Sequence, residues 1–132
     1  MSFKRLGALI LLVSDMDKSI KFYRDVLELP IKNTSSEWVE FFSSGTVLAL
    51  HPSKSKSRTK NSGVLVGFMV SDLGPVAKKL KDKKVEFFKE PKEESFGKHA
   101  IIADPDGHLI SIAEISSKIS EGFDLIGLIG AE

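Results

Sequence analysis

Apolar residues dominate from Leu6 to Val13, and a run of that length predicts a strand buried on both faces. Ser14 and Asp15 then offer a helix N-cap, and Met16, Ile20, Tyr23 and Leu27 recur at helical spacing. Lys21 with Asp25, and Arg24 with Glu28, are i,i+4 pairs that suit a solvated helix face. Pro30 ends this helix and opens a short strand near Ile31. Two further strands follow, Glu37 to Phe42 and Thr46 to His51, separated by Ser43, Ser44 and Gly45. The predicted order is β-α-β-β-β.

From His51 to Ser62 the chain carries no apolar periodicity and four basic residues, Lys54, Lys56, Arg58 and Lys60, which reads as a solvated linker. The pattern then starts again. Val64 to Val70 is a strand, Asp72 an N-cap, and Leu73, Val76, Ala77 and Leu80 an apolar helical stripe with Pro75 in the first turn. Lysines 78, 79, 81, 83 and 84 cover the other face. Val85 to Phe88 is a short strand, and Gly97 to Ala103 and His108 to Ile115 are longer ones. Asp104-Pro105-Asp106-Gly107 between them suits a type I turn followed by a left-handed glycine. Val13-Ser14-Asp15-Met16 aligns with Val70-Ser71-Asp72-Leu73, each at a strand-to-helix junction. The chain is thus an α+β protein of two tandem βαβββ units, neither able to cover its own sheet alone.

Composition narrows the partners. With 132 residues, 42% of them hydrophobic, a single domain over 1–132 is expected: unit one about 5–51, a basic linker 52–62, unit two about 63–115 and an apolar tail 116–132. Nineteen basic and 18 acidic residues leave a net charge of +1, which gives nucleic acid and anionic membranes no hold. Cysteine is absent, so disulfides, thiolate nucleophiles and thiolate metal ligands are excluded together. Lys4 and Arg5 before the first apolar run faintly imitate a secretory leader. The run is short, no small-residue cleavage site follows, and Asp15, Asp17 and Lys18 come next, so a strand explains it better. A cytoplasmic protein is expected.

The segment from Val13 to Leu29, which includes Ser14-Asp15-Met16-Asp17-Lys18-Ser19-Ile20-Lys21-Phe22-Tyr23, resembles the first-helix signature of the vicinal oxygen chelate superfamily. Asp104-Pro105-Asp106-Gly107-His108 and the strand to Glu114 resemble its final hairpin. The family holds glyoxalase I, methylmalonyl-CoA epimerase, extradiol dioxygenases, fosfomycin-resistance enzymes and metal-free bleomycin-binding proteins. The resemblance implies a curved eight-stranded cup with helices on its outer face, and commonly a homodimer. In metal-dependent members, His, Glu or Gln from the first and last strand of each unit hold a divalent ion that polarises substrate oxygens.

Carried over by counting from Asp15, Asp72 and Gly107, those positions are Ala8, Leu65 and Ser111, with Ala49 as the fourth, subject to a one-residue uncertainty. Alanine and leucine have no donor atom, and a lone serine hydroxyl is a poor neutral ligand. The neighbours Gly7, Leu9, Leu48, Leu50, Val64, Val66, Ile110 and Ile112 offer nothing better. No family metal and no cofactor are expected.

Other residues are candidates for lining the cup. Ile10, Met69, Val47, Gly67 and Leu109 share strand parity with the emptied positions. His51 has the parity of Ala49, and His108 reads as a turn-stabilising residue on the rim. If Pro105, Asp106 and Gly107 form a three-residue loop, Ile101 pairs with Ser111 and His99 with Ala113, which turns His99 toward the cup as a hydrogen-bonding wall residue or an acid/base group. Trp38, Glu40 and Phe42 alternate with Val39 and Phe41. A two-residue Ser44-Gly45 turn sends Trp38 and Glu40 inward, and a three-residue turn inverts them.

The expected function is binding of a small, partly hydrophobic ligand without a metal. The alternative is a glyoxalase-like lyase, isomerase or dioxygenase whose metal has moved to His51, His99 or Glu40; a third is a degenerate subunit that pairs with an active partner. The tail, with Ile119, Phe123, Leu125, Ile126, Leu128 and Ile129, is expected to pack across the cup mouth or into a dimer interface.

Overall fold

The computed structural model describes residues 1, 4, 6–54, 64–95 and 97–115. The tail 116–132 and most of the basic linker therefore lie outside the described residues, as do the expectations attached to them. Among the described residues, eight strands form two four-stranded sheets, each the product of one βαβββ repeat. The chain divides into two compact units, one of residues 1–60 with Pro105–His108 and one of 61–104 with 109–132.

In the first unit, β1 (Ala8–Val13) lies parallel to β4 (Val47–Pro52), which pairs antiparallel with β3 (Val39–Phe41), itself antiparallel to the edge strand β2 (Ile31–Thr34). One sheet face carries Leu11, Val13, Leu48, Leu50, Val39 and Phe41, all buried. Phe22 and Tyr23 from the helix belong to the same core, with the Tyr23 ring 6.0 Å from Phe41. β1 is not buried on both faces as its apolar run suggests. Ile10 and Leu12 are 49% and 54% exposed on the opposite side.

The first helix begins as α1 (Met16–Ile20), capped by the Asp15 carboxylate on the Lys18 amide at 3.1 Å. It continues as a wider π-helical turn, Lys21–Val26, in which Leu27 N–H donates to the Phe22 carbonyl at 2.9 Å. The predicted apolar stripe is corrected accordingly: Ser19, Phe22 and Tyr23 are buried, while Met16, Ile20 and Leu27 are only partly so. The repeat explains why. From Asp15 to Glu28, which sits at φ 61°, the chain takes 13 steps; from Asp72 to Lys84, also at φ 61°, it takes 12. One extra residue between equivalent helix ends is what a π turn absorbs, and it rotates the following side chains toward the core.

In the second unit, β5 (Val66–Met69) is parallel to β8 (Leu109–Ile115), which pairs with β7 (Gly97–Ala103), and β7 with β6 (Glu86–Glu94). Helix α2 (Leu73–Asp82) buries Leu73, Ala77 and Leu80 as its stripe predicts. It ends in a Schellman arrangement: Val85 N–H donates to the Leu80 carbonyl and Lys84 N–H to that of Lys81, with Lys84 in the left-handed position where glycine is usual. Asp72 occupies the N-cap position, but its side chain makes no cap bond. The Glu114 carboxylate on β8 accepts from the Leu73 amide instead, at 2.7 Å. β6 also departs from expectation, running nine residues rather than four and including Pro91. An edge strand tolerates a proline, and the ladder shifts register between Lys89 and Lys92. Its charged, mostly exposed residues show no alternation from which a strand is legible.

Candidate functional site

Sheet register decides which side chains share a face. In the first unit Ile10 lies opposite Ala49, and Ala49 opposite Glu40. In the second, Gly67 lies opposite Ser111, and Ser111 opposite Ile101. Aligning the repeats through Asp15 and Asp72 matches Ile10 with Gly67, so their partners Ala49 and Ser111 are equivalent positions. This removes the one-residue uncertainty over Ala49. A shift by one selects Leu48 or Leu50, which belong to the opposite, helix-covered face.

The same registers settle the orientation of Trp38 and Glu40. Phe41 opposite Leu48 and Glu40 opposite Ala49 are the pairs that a Ser44-Gly45 turn requires, with Gly45 at φ 76°. Val39 and Phe41 are fully buried in the helix-side core. Trp38 and Glu40 therefore share the face of Ala8, Ile10, Ala49 and His51. Phe42 follows the end of β3 at φ 72°.

On this face Glu40 is held by two donors. The Trp38 indole Nε1–H donates to Glu40 Oε2 at 2.8 Å, and the Asn33 amide donates to Oε1 at 3.0 Å. The bond from Trp38 and then that from Asn33 hold the Glu40 carboxyl below its ordinary range, against a smaller desolvation effect and with a minor contribution from Lys32. The Trp38 ring meets the His51 ring edge-on, centroids 6.1 Å apart. His51 Nδ1 is 2.9 Å from the Pro52 carbonyl oxygen, which can only accept, so Nδ1 carries the proton and Nε2 points away as an acceptor in the neutral ring. Asn33 has no sequence signal: β2 is exposed throughout and shows no alternation.

In the second unit Leu65 precedes β5 by one residue, and Gly67, Met69, Ser111, Ala113, Ile101 and His99 share its face. The three-residue-loop register holds, with Ile101 opposite Ser111 and His99 opposite Ala113. His99 and Ser111 are each 1% exposed and bonded to each other, Nε2 to Oγ at 2.6 Å. Lys89 and Glu94 on β6 lie opposite Ile101 and Gly97. Their charges are 3.9 Å apart. Met69 is 55% exposed, and a Cβ on Gly67 meets no atom within 4 Å.

The residues around the β7–β8 turn serve structure. Asp106 is buried and accepts from the Ser14 amide at 2.9 Å and the Ser19 hydroxyl at 3.4 Å. His108, expected at a turn rim, donates from Nε2 to the Leu12 carbonyl at 2.8 Å.

These residues do not fit the family's metal. Ala8, Ala49 and Leu65 carry no donor, and the one hydroxyl, that of Ser111, is engaged by His99. Among the described residues no three His, Asp or Glu side chains gather where they can hold an ion.

A family model for the glyoxalase/bleomycin resistance protein/dioxygenase superfamily matches residues 5–112. The chain belongs to that superfamily. No curated protein matches the sequence. Solved structures of similar fold include a glyoxalase/bleomycin resistance protein/dioxygenase from Nocardioides, with a TM-score of 0.70 and 17% identity over 85% of this chain and 83% of that one. A glyoxalase-related enzyme from Fulvimarina pelagi has a TM-score of 0.70 and 19% identity, covering 84% and 88% of the two chains. A protein of unknown function from Agrobacterium tumefaciens has a TM-score of 0.72 and 22% identity, covering 86% and 94%. At these identities the likeness is one of fold. Among the described residues no helix is long and apolar enough to cross a membrane.

Proposed function

We propose that this superfamily member binds a small, partly hydrophobic molecule without a metal and without changing a bond in it. The observation that carries the reading is the residue set at the family's four chelating positions, Ala8, Ala49, Leu65 and Ser111, with Ser111 closed into a hydrogen bond with buried His99. A site for Lewis-acid chemistry needs several anionic or imidazole donors converging on one point. These positions supply apolar surface and one satisfied hydroxyl instead. Apolar lining with a few fixed polar groups is the composition of small-molecule pockets. On the first unit's sheet face Ile10, Trp38, Glu40 and His51 are of this kind, and on the second unit's face Met69 is. The same reading expects a homodimer, which is usual in the superfamily, and a cytoplasmic location.

Elemental analysis of protein purified without chelators, together with native mass spectrometry, tests the proposal. A co-purified organic mass in substoichiometric metal is the expected result. One equivalent of zinc, nickel, manganese or iron per chain overturns it and favours the relocated-metal enzyme. Sedimentation velocity checks the dimer.

A further inference from the structure

The first unit's open face has a polarity that the emptied metal positions do not explain. Glu40, Ala49 and Ile10 lie side by side across β3, β4 and β1. Leu12 pairs with His51, and extending the β3–β4 ladder by one pair sets Trp38 beside them, in keeping with the ring contact between Trp38 and His51. The polar atoms left over in these rows are acceptors, apart from the second amide N–H of Asn33, which lies opposite Glu40 on β2. Each Glu40 oxygen takes one donor and keeps a lone pair, and His51 presents Nε2. The indole N–H of Trp38 is spent on Glu40, so its ring offers only a π face. Ile10 and Leu12, half exposed, add aliphatic surface.

The charge is negative and fixed in place. Two donors hold the carboxylate, so it need not reorganise when a ligand arrives. Lys32 is the one cation whose field reaches it among the described residues, and it is only a minor contributor to keeping the group ionised. A ligand complementary to acceptors, a carboxylate, an aromatic face and aliphatic side chains carries N–H donors and positive charge on an apolar body. An anion of the same shape meets the repulsion of the Glu40 charge, with a single amide N–H of Asn33 as the donor left beside it.

We infer that the Trp38–Glu40–His51 face is a subsite for a protonated amine borne on an aryl or alkyl group. The inference rests on the small-molecule-binding reading above and names the class of ligand. Glu40 sets the charge preference, Trp38 supplies the stacking and cation–π surface, and His51 accepts a second N–H.

Trp38 is the sole tryptophan of the chain, so its fluorescence reports on the subsite directly. The full-length protein is titrated at low ionic strength with 2-phenylethylammonium, 2-phenylethanol and 3-phenylpropionate, three probes sharing one ring. The ammonium is expected to saturate at least about tenfold tighter than the alcohol, with the carboxylate weakest. Added salt should weaken the ammonium and leave the alcohol unchanged. Glu40→Gln should bring the ammonium down to the level of the alcohol, whereas Asn33→Ala, which keeps the charge, should preserve the ranking. Equal binding of ammonium and alcohol, a preference that survives Glu40→Gln in folded protein, or no saturable binding of the ammonium each overturns the inference. Binding of the alcohol and ammonium alike leaves the small-molecule reading standing, while a stoichiometric metal removes that reading whatever the ranking of probes.

Discussion

The two sheets are built to one plan and finished differently. Trp38 and His99 occupy equivalent places, opposite His51 in the first unit and opposite Ala113 in the second. In the first, a large ring stands half-exposed against an exposed imidazole and fastens a charged carboxylate. In the second, the imidazole is buried and turned onto the Ser111 hydroxyl. The difference teaches that one plan of strands can carry two kinds of face. One face presents its polar groups outward, and the other closes them onto each other. The helices differ in the same sense: α1 is capped by its own Asp15, and α2 by Glu114 from a strand 41 residues away.

The sharpest test of this contrast compares the two histidines. His99→Ala should destabilise the protein by about 2–4 kcal/mol, since it opens a cavity and strands the Ser111 hydroxyl. His51→Ala should change stability by less than about 0.5 kcal/mol, because the ring is exposed. Urea unfolding with an unchanged m-value measures both. Similar costs for the two would erase the distinction.

The caps come next in size. Asp15→Ala and Glu114→Ala should each cost about 1 kcal/mol, while Asp72→Ala, whose side chain makes no cap bond, should cost only a few tenths of a kcal/mol. A costly Asp72→Ala with a silent Glu114→Ala would show that both helices use local caps after all. The helix ends offer a smaller change of opposite sign. Lys84→Gly and Glu28→Gly should each stabilise by up to about 1 kcal/mol, because glycine adopts the left-handed conformation without the Cβ penalty. Thermal melts of the single and double variants check this.

Glu40 provides the pH-dependent test. Its carboxyl titrates below the ordinary range in the folded chain, so its bonds add stability above the unfolded value of about 4.3. That contribution disappears as pH falls from about 4.3 through the lower folded value. Carboxyl-resolved NMR titration should show Glu40 below a typical exposed glutamate. Trp38→Phe should raise it further than Asn33→Ala does, in the order of the two hydrogen bonds' influence.

Much of the fold was legible in the chain because its signals are local. The Asp104-Pro105-Asp106-Gly107 turn, read as a three-residue loop, gives the register that places His99 opposite Ala113. The α2 stripe needed only the 3.6-residue period. β6 failed because an edge strand of charged residues buries too little to leave an alternating trace. The first-helix stripe failed because one inserted residue rotates everything after it. Of the candidate residues, the faces of Ala8, Ile10, Ala49, Met69 and Ser111 followed from parity, whereas the choice between Trp38 with Glu40 and Val39 with Phe41 waited on the hairpin register.

By itself, then, the sequence determined the two βαβββ repeats and their superfamily. Periodicity, turn chemistry and residue type act within a few positions, and one chain displays them fully. Only the tertiary structure decided which partner each polar side chain finds: Asn33 for Glu40, Ser111 for His99, Leu73 for Glu114. Those pairings join residues from different strands and helices. A hydrogen bond depends on atoms coming within about 3 Å, which spacing along the chain does not specify.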